Sequence, residues 1–312
     1  MLHTVTAYDW MVCGGDADAC AQIALQSLES DILLQAEQGL FPIIAAIVLA
    51  VADRDEAVES LDHQRADAHR RGSLFPTLAV HLWRGYALLR RGDLPEAEES
   101  LKQAAVSIRV WGSTTDTIPG YHLAFLASTQ VELGKIDEAR QTLDSYKGTF
   151  DRSDGANFMR WSTMEVLLAE GKIEQALELA DDYERSSEHV KNPGWAAWRS
   201  LKAQALDRLG RTDEAIALVE QELELAEAWG APGTVGRVLI VLGKLKREAG
   251  VPDLERAVDL LETSSARLAH AKALAALGAT LRRERKPSEA REPLRRALEL
   301  ADSCGAGALY EE

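Results

Sequence analysis

Aromatic side chains are scarce in this chain of 312 residues, at 6% of the total, and cysteines number only three. Cys13, Cys20 and Cys304 are widely scattered, form no CxxC pair and have no histidine at a metal-ligand spacing. That excludes a disulfide framework or a zinc site as the organising device. They read as plain, reduced, buried thiols in a cytoplasmic setting. Basic charge is short as well, since 35 Lys and Arg face 50 Asp and Glu for a net charge of −15. A surface that grips phosphates needs clustered cations, so this segment is not expected to bind nucleic acid itself. The one strongly apolar run, FPIIAAIVLAVA at 41–52, is shorter than the about 20 residues that span a bilayer. It should form a buried core helix, and no membrane is expected as a partner. The opening MLHTVTAYDW lacks the basic-then-apolar order of a signal peptide.

The chemistry of catalysis is equally thin. Seven histidines, His189 among them, show no HExxH and no i,i+4 pair, and Cys13 and Cys20 have no adjacent base. Carboxylates fall in DEA, EEA and ELE runs, expected on solvated faces of second helices. No enzymatic activity, metal or cofactor is expected.

What the chain does have is repetition. GDLPEAEESL at 92–101 returns as GKIDEARQTL at 134–143, GKIEQALELA at 171–180 and GRTDEAIALV at 210–219. Ala97, Ala139, Ala176 and Ala215 mark one position, and Ala57, Ala257, Ala290 and, more weakly, Ala19 extend the series. Such a period marks a repeat architecture. Each unit reads as two helices, because apolar residues recur three or four apart on both sides of the glycine turn. The pairs Phe75-Pro76, Pro119-Gly120, Pro193-Gly194 and Pro232-Gly233 should open first helices, where a missing N–H is tolerated. Seven residues before the turn a small residue recurs, as Gly85, Ala127, Ala203, Gly243 and Gly278, which lets the second helix approach closely. Met164 breaks the rule, so the unit at 156–190 should pack differently. Stacked units bury what one unit cannot, giving an all-α superhelix whose first helices line a concave face. We expect a single domain over 1–312 of about seven to eight units of 33–42 residues, divergent over 1–70.

The order Gly85, Gly92, Ala97, Leu101, Ala104, repeated as Gly278, Ala290, Leu294, Ala297, resembles the tetratricopeptide repeat, although that repeat is 34 residues long and these units mostly run longer. The stretches at 70–104, 195–232 and above all 266–306, ending LELADSCGA, are similar to the helical-repeat region of MalT-like, large ATP-binding regulators of the LuxR family. That resemblance implies an effector-sensing segment of a bacterial transcription regulator, with a nucleotide-binding module ahead and a helix-turn-helix behind. Neither motif stands in this sequence. The nearest phosphate-loop look-alike, GAPGTVGR at 230–237, reads as a Pro-Gly loop opening the next first helix.

Projecting the groove of this class of solenoid onto the chain selects Tyr86, Tyr121, Phe125 and Ser128, then Phe158, Trp161 and Glu165. It continues with Trp198, Gln204 and Asp207, and ends in the cations Arg237, Lys244 and Lys272. Aromatic platforms beside polar groups suit a small effector or an extended peptide, and a cationic end suits a carboxylate or phosphate. Trp195 and Trp198 are expected to cap a helix–helix interface, and Trp111 and Trp229 to mark a packing position at the end of second helices. The basic run at 267–296 reads as a solvated helix surface. Two other uses fit the same architecture: a stand-alone adaptor holding a peptide or protein partner, and a self-associating module that leaves the groove empty.

Overall fold

The computed structural model describes residues 2–29, 39–112, 117–188 and 190–310. The described residues form sixteen α-helices in eight consecutive pairs. The pairs are α1 (Leu2–Val12) with α2 (Ala17–Leu28), α3 (Leu40–Val51) with α4 (Glu56–Arg71), α5 (Leu74–Arg91) with α6 (Leu94–Trp111), and α7 (Thr117–Glu132) with α8 (Ile136–Asp144). Then come α9 (Asp154–Ala169) with α10 (Ile173–Ser186), α11 (Trp198–Arg208) with α12 (Thr212–Trp229), α13 (Pro232–Lys246) with α14 (Val251–Glu262), and α15 (Arg267–Arg283) with α16 (Pro287–Cys304). Short 3-10 turns occupy Arg247–Gly250 and Gly307–Tyr310.

Every turn inside a pair holds one residue of positive φ: Gly14, Asp53, Gly92, Gly134, Gly171, Gly210, Arg247 and Arg285. In seven of them the next N–H donates to the carbonyl five residues back, as Asp93 does to Leu88 at 2.9 Å and Arg211 to Leu206 at 2.9 Å. This is the Schellman closure, in which a left-handed residue turns the chain so that otherwise orphaned helix carbonyls are satisfied. The exception is Arg247, where the 3-10 turn lengthens the connection to α14.

First helices pack on the first helices of neighbouring units, while second helices pack on first helices, so α5, α7, α9, α11, α13 and α15 form the inner layer. The small residues work as the sequence indicates. A Cβ on Gly85 would stand 2.5 Å from Leu101 Cγ, one on Gly278 2.5 Å from Leu294 Cγ, and one on Gly243 2.6 Å from Leu254 Cγ. Gly85→Ala is therefore expected to cost about 1–3 kcal/mol by overpacking. Paired with Leu101→Ala it should cost less than the sum of the two single changes, because each substitution makes room for the other; urea denaturation of the four proteins checks this.

The starts of α7 and α9 approach still more closely. Gly155 lies so near α7 that an added Cβ would stand 2.3 Å from Thr117 O, and one on Gly120 would stand 2.8 Å from Gly155 O. Here α7 and α9 meet backbone to backbone at their starts, and Met164, further along α9, is buried.

The superhelix returns upon itself. The Gly92 turn abuts Leu268 and Cys304, the Gly134 turn abuts Gly307 and Ala308, and Ser265 Oγ donates to Asp53 O at 3.0 Å. The run at 41–52 is a core helix as expected, buried from Ile43 to Val51 except Ile44. None of the described helices is long and apolar enough to cross a membrane.

Three expectations need correction. Pro193 opens no helix, since residues 190–197 are non-helical and α11 starts only at Trp198. The cause is local: Asn192 Oδ1 accepts from Gly194 N–H at 2.7 Å and Asn192 O accepts from Trp195 N–H at 3.0 Å, closing a tight turn that competes with helix. Cys13 is exposed, because it sits in the α1–α2 turn, whereas Cys20 and Cys304 are buried. In the first unit Ala17, Cys20, Ala21 and Ala24 form the buried stripe, and Ala19 is only half-buried.

Candidate partner-binding face

The inner layer gathers most of the aromatic residues of the projected groove. Tyr86 and Phe125 have ring centroids 4.6 Å apart, Phe125 and Phe158 5.1 Å, Tyr121 and Phe158 5.5 Å, and Phe158 stacks on Trp161 at 6.1 Å. Tyr86, Phe125 and Phe158 are buried, while Tyr121 and Trp161 are half-buried. Burial and the neighbouring Asp154 hold the Tyr121 phenol well above its ordinary range. Beside them, Ser128 Oγ donates to Glu165 Oε2 at 2.5 Å and lies 2.8 Å from Ser162 Oγ, which donates to Ala124 O. Burial raises the pKa of Glu165, a rise to which Glu132 adds. Lys272 reaches across from α15 to Glu132 at 2.5 Å.

The other projected residues are not part of this cluster. Trp198 stacks on Tyr183 at 6.2 Å with the Arg199 guanidinium 4.5 Å above its ring. Gln204 donates to Ser200 O within its own helix, and Lys244 is exposed. Asp207 accepts from Arg247 and Thr212. Arg237 lies 3.6 Å from Asp53, and burial together with Arg90 lowers its pKa to about 10.

The residues that complete the cluster are ones the projection omits. Trp195, 1% exposed, stands at its centre, with ring centroids 5.0 Å from Phe158, 5.7 Å from Tyr8, and 6.2 Å from both Trp83 and Tyr86. It fills the inner face rather than capping a helix–helix contact. Trp83 stands three residues before Tyr86 on the same helical face, a spacing visible in the sequence. Tyr8 and Trp195 arrive from distant units and carry no such signal. The two end-of-helix tryptophans also diverge: Trp229 is fully buried and donates to Val51 O, whereas Trp111 is 38% exposed against Phe75. The position is the same within the unit, but only Trp229 has the returning superhelix over it.

Among carboxylates, Glu222 departs from the solvated-face expectation. It is 0% exposed and accepts from Arg199 N–H at 3.1 Å, Ser200 N–H at 2.9 Å and the Ser200 hydroxyl, thereby capping α11. The signal was present, for Ala215, Val219, Glu222, Ala226 and Trp229 form the buried stripe of α12. Burial pushes the Glu222 carboxyl up to about 7 from an ordinary 4.5. The native state thus holds this proton more tightly than the unfolded chain, so stability falls as pH rises from about 4.5 to 7 and the full cost persists above that. At about 1.4 kcal/mol per unit, the cost is about 3 kcal/mol. Glu222→Gln is expected to remove this slope and gain stability above pH 7, read as the variant-minus-wild-type difference in urea midpoints across pH. His81 and His122, both lowered to about 4 by burial, weaken the fold on acidification instead, and the difference cancels them.

The basic run is paired along much of its length: Arg267 with Asp93, Lys286 with Glu284, Arg295 with Glu292 and Arg296 with Glu262. Among the described residues no cluster of His, Cys, Asp and Glu could hold a metal; His189 lies outside them. Two clefts offer about 40 and 10 Å³, room for water. The larger is lined by residues such as Gln64, Arg71 and Val80 of the α3–α5 region, away from the aromatic cluster.

A tetratricopeptide-repeat family model matches residues 78–103 and 120–145, and a second tetratricopeptide-repeat model matches 165–232. No curated protein matches significantly. Among solved structures, a Rap protein complexed with Competence and Sporulation Factor is similar at a TM-score of 0.59 and 13% identity, covering 97% of this chain and 98% of that one. The APC/C hetero-tetramer Cut9–Hcn1 is similar at a TM-score of 0.58 and 14% identity, covering 99% of this chain and 55% of that one. At such identities the likeness concerns the fold. The chain is an all-α superhelix that carries tetratricopeptide repeats.

Proposed function

We propose that this chain is a protein-interaction domain whose inner aromatic face holds a peptide or protein partner. The observation that carries this reading is that the face already holds a non-helical stretch of polypeptide, residues 190–197. It is gripped through backbone carbonyls and a single indole, with Arg90 donating to Gly194 O at 2.8 Å. The two solved structures described above are complexes with another protein or factor, which supports the same reading. The half-buried Tyr121 and Trp161, with Ser128 and Glu165 beside them, form the accessible part of the face. Selection of a displayed peptide library against the whole chain tests it. Enriched peptides should lose binding at least tenfold on Trp161→Ala or Tyr121→Ala with helical content intact. Equal binding by these folded variants would remove the face from consideration.

The likeness at 266–306 to MalT-like regulators supports a narrower reading, in which the domain senses an effector for attached nucleotide- and DNA-binding modules. Reading the gene outward decides it. An upstream GxxxxGK[ST] module and a downstream helix-turn-helix in frame are expected, and stop and start codons bracketing the segment would end that reading.

A further inference from the structure

We infer that residues 190–197 are an exchangeable occupant of the inner face, and that the partner enters as a tight turn presenting an aromatic side chain where Trp195 now sits. The inference rests on the proposed partner-binding face and specifies what that face accepts.

Three observations carry it. First, the strap replaces helix. The inner helices of the neighbouring units, α9 and α13, run 16 and 15 residues, whereas α11 has 11. The strap lies where the start of α11 would be, and its tight turn at 192–195 points an indole into rings from α1, α5 and α9. Second, its grip is of a kind that a different polypeptide could reproduce. Lys191 N–H donates to Val12 O at 3.1 Å, Asn192 Nδ2 donates to Met11 O at 2.8 Å, and Gly194 O accepts from Arg90. Two of these three bonds use only strap backbone, which every sequence supplies; the indole pocket and the Asn192 amide supply the selectivity. Third, the fit at the Gly194 end is incomplete. Thr234 Oγ1 and Asp53 Oδ2 are buried there without a hydrogen-bond partner, and Arg237 Nη2 has only the Asp53 carboxylate, 3.6 Å away. A Cβ on Gly194 would stand 3.0 Å from that hydroxyl, and one on Gly233 2.6 Å from Asp53 Oδ2. Buried polar atoms are normally satisfied. A Cβ on Gly194 would also stand 2.9 Å from Asn192 Oδ1, so a partner turn needs glycine at this position too and would have to meet the Thr234 hydroxyl from another residue.

The test uses the whole chain and a fluorescently labelled synthetic peptide of residues 190–198, VKNPGWAAW. Asn192→Ala removes the strap's side-chain anchor to Met11 and its turn-closing acceptor, and Trp195→Ala vacates the indole position. Each variant is checked for helical content by circular dichroism. Both are expected to bind the peptide at least tenfold more tightly than the wild type, and a peptide carrying Ala in place of its first Trp should not bind. In the wild type, amides of 190–197 should exchange with deuterium at least tenfold faster than those of α9 and α13. Folded variants that bind the peptide no better than the wild type, or strap amides as protected as the flanking helices, would falsify the inference and make the strap ordinary core. If a variant does not fold, the exchange measurement on the wild type decides alone. Should the strap peptide bind while library selection yields nothing, the exchangeable strap stands and the partner-binding function falls. Library binders that ignore the strap peptide in competition give the reverse.

Discussion

Arg90→Leu is expected to lower the free energy of unfolding by about 3–5 kcal/mol, because it strips a buried cation from the buried Asp53 carboxylate and from the Gly194 carbonyl. Arg90 leaves α5 and donates to Ala50 O at 2.9 Å, Val51 O at 3.4 Å, Asp53 Oδ1 at 3.2 Å and Gly194 O at 2.8 Å. It joins the end of α3, the following turn and the strap in one node. Two guanidiniums, Arg90 and Arg237, share the single carboxylate of Asp53. Without Arg90 the carboxylate keeps only Arg237 at 3.6 Å, and three carbonyls lose a donor. Asp53 holds a φ of 55°, a left-handed conformation that asparagine also accepts. Asp53→Asn therefore removes the charge while leaving the turn intact. Combined with Arg90→Leu it should cost at least 1 kcal/mol less than the two changes added, since the second substitution removes the charge that the first strands. Urea denaturation of the four proteins measures this. Strict additivity would mean that the two groups do not support each other.

Trp195→Ala should be as damaging, at about 3–5 kcal/mol, the usual cost of emptying a large buried aromatic site. The indole touches rings contributed by α1, α5 and α9, and with Trp83 beside it no single neighbour can move in to fill the void. A loss of this size leaves an ordinary domain folded, because domains are typically stable by about 5–15 kcal/mol. Thermal and urea unfolding, followed by circular dichroism so that the lost fluorophore does not intrude, give the number. A loss under about 1 kcal/mol would show that the surrounding rings collapse onto the space and that Trp195 contributes little to holding the superhelix closed.

Much of the repeat was legible because its signals are local. Gly92, Gly134, Gly171 and Gly210 stand where one residue must turn left-handed, a requirement set within five residues of chain. Gly85 with Leu101 and Gly278 with Leu294 are separated by one helical hairpin, so spacing alone pairs them. Glu222 lies on the apolar stripe of α12 and is legible by the same spacing, although a carboxylate by its chemistry suggests a solvated face. Pro193 misled because Pro-Gly commonly opens a helix, and here the Asn192 side chain closes a turn first.

The inner face was legible in part, and the boundary between the parts is physical. Tyr121 and Phe158 hold the same position relative to their turn glycines, Gly134 and Gly171. Phe125 and Trp161 lie on the same two first helices and Tyr86 on the one before, so the repeat itself brings these rings near one another. What fills the space between them depends on how small rotations from unit to unit add up. No local pattern sets that sum closely enough to bring Tyr8, Trp83 and Trp195 into one cluster, or Asp53 against Arg90 and Arg237. The sequence by itself determined most of the helices and their pairing, because those follow from spacings of three, four and about forty residues. Only the tertiary structure decided that the inner face is occupied, since that depends on contacts between residues more than a hundred positions apart.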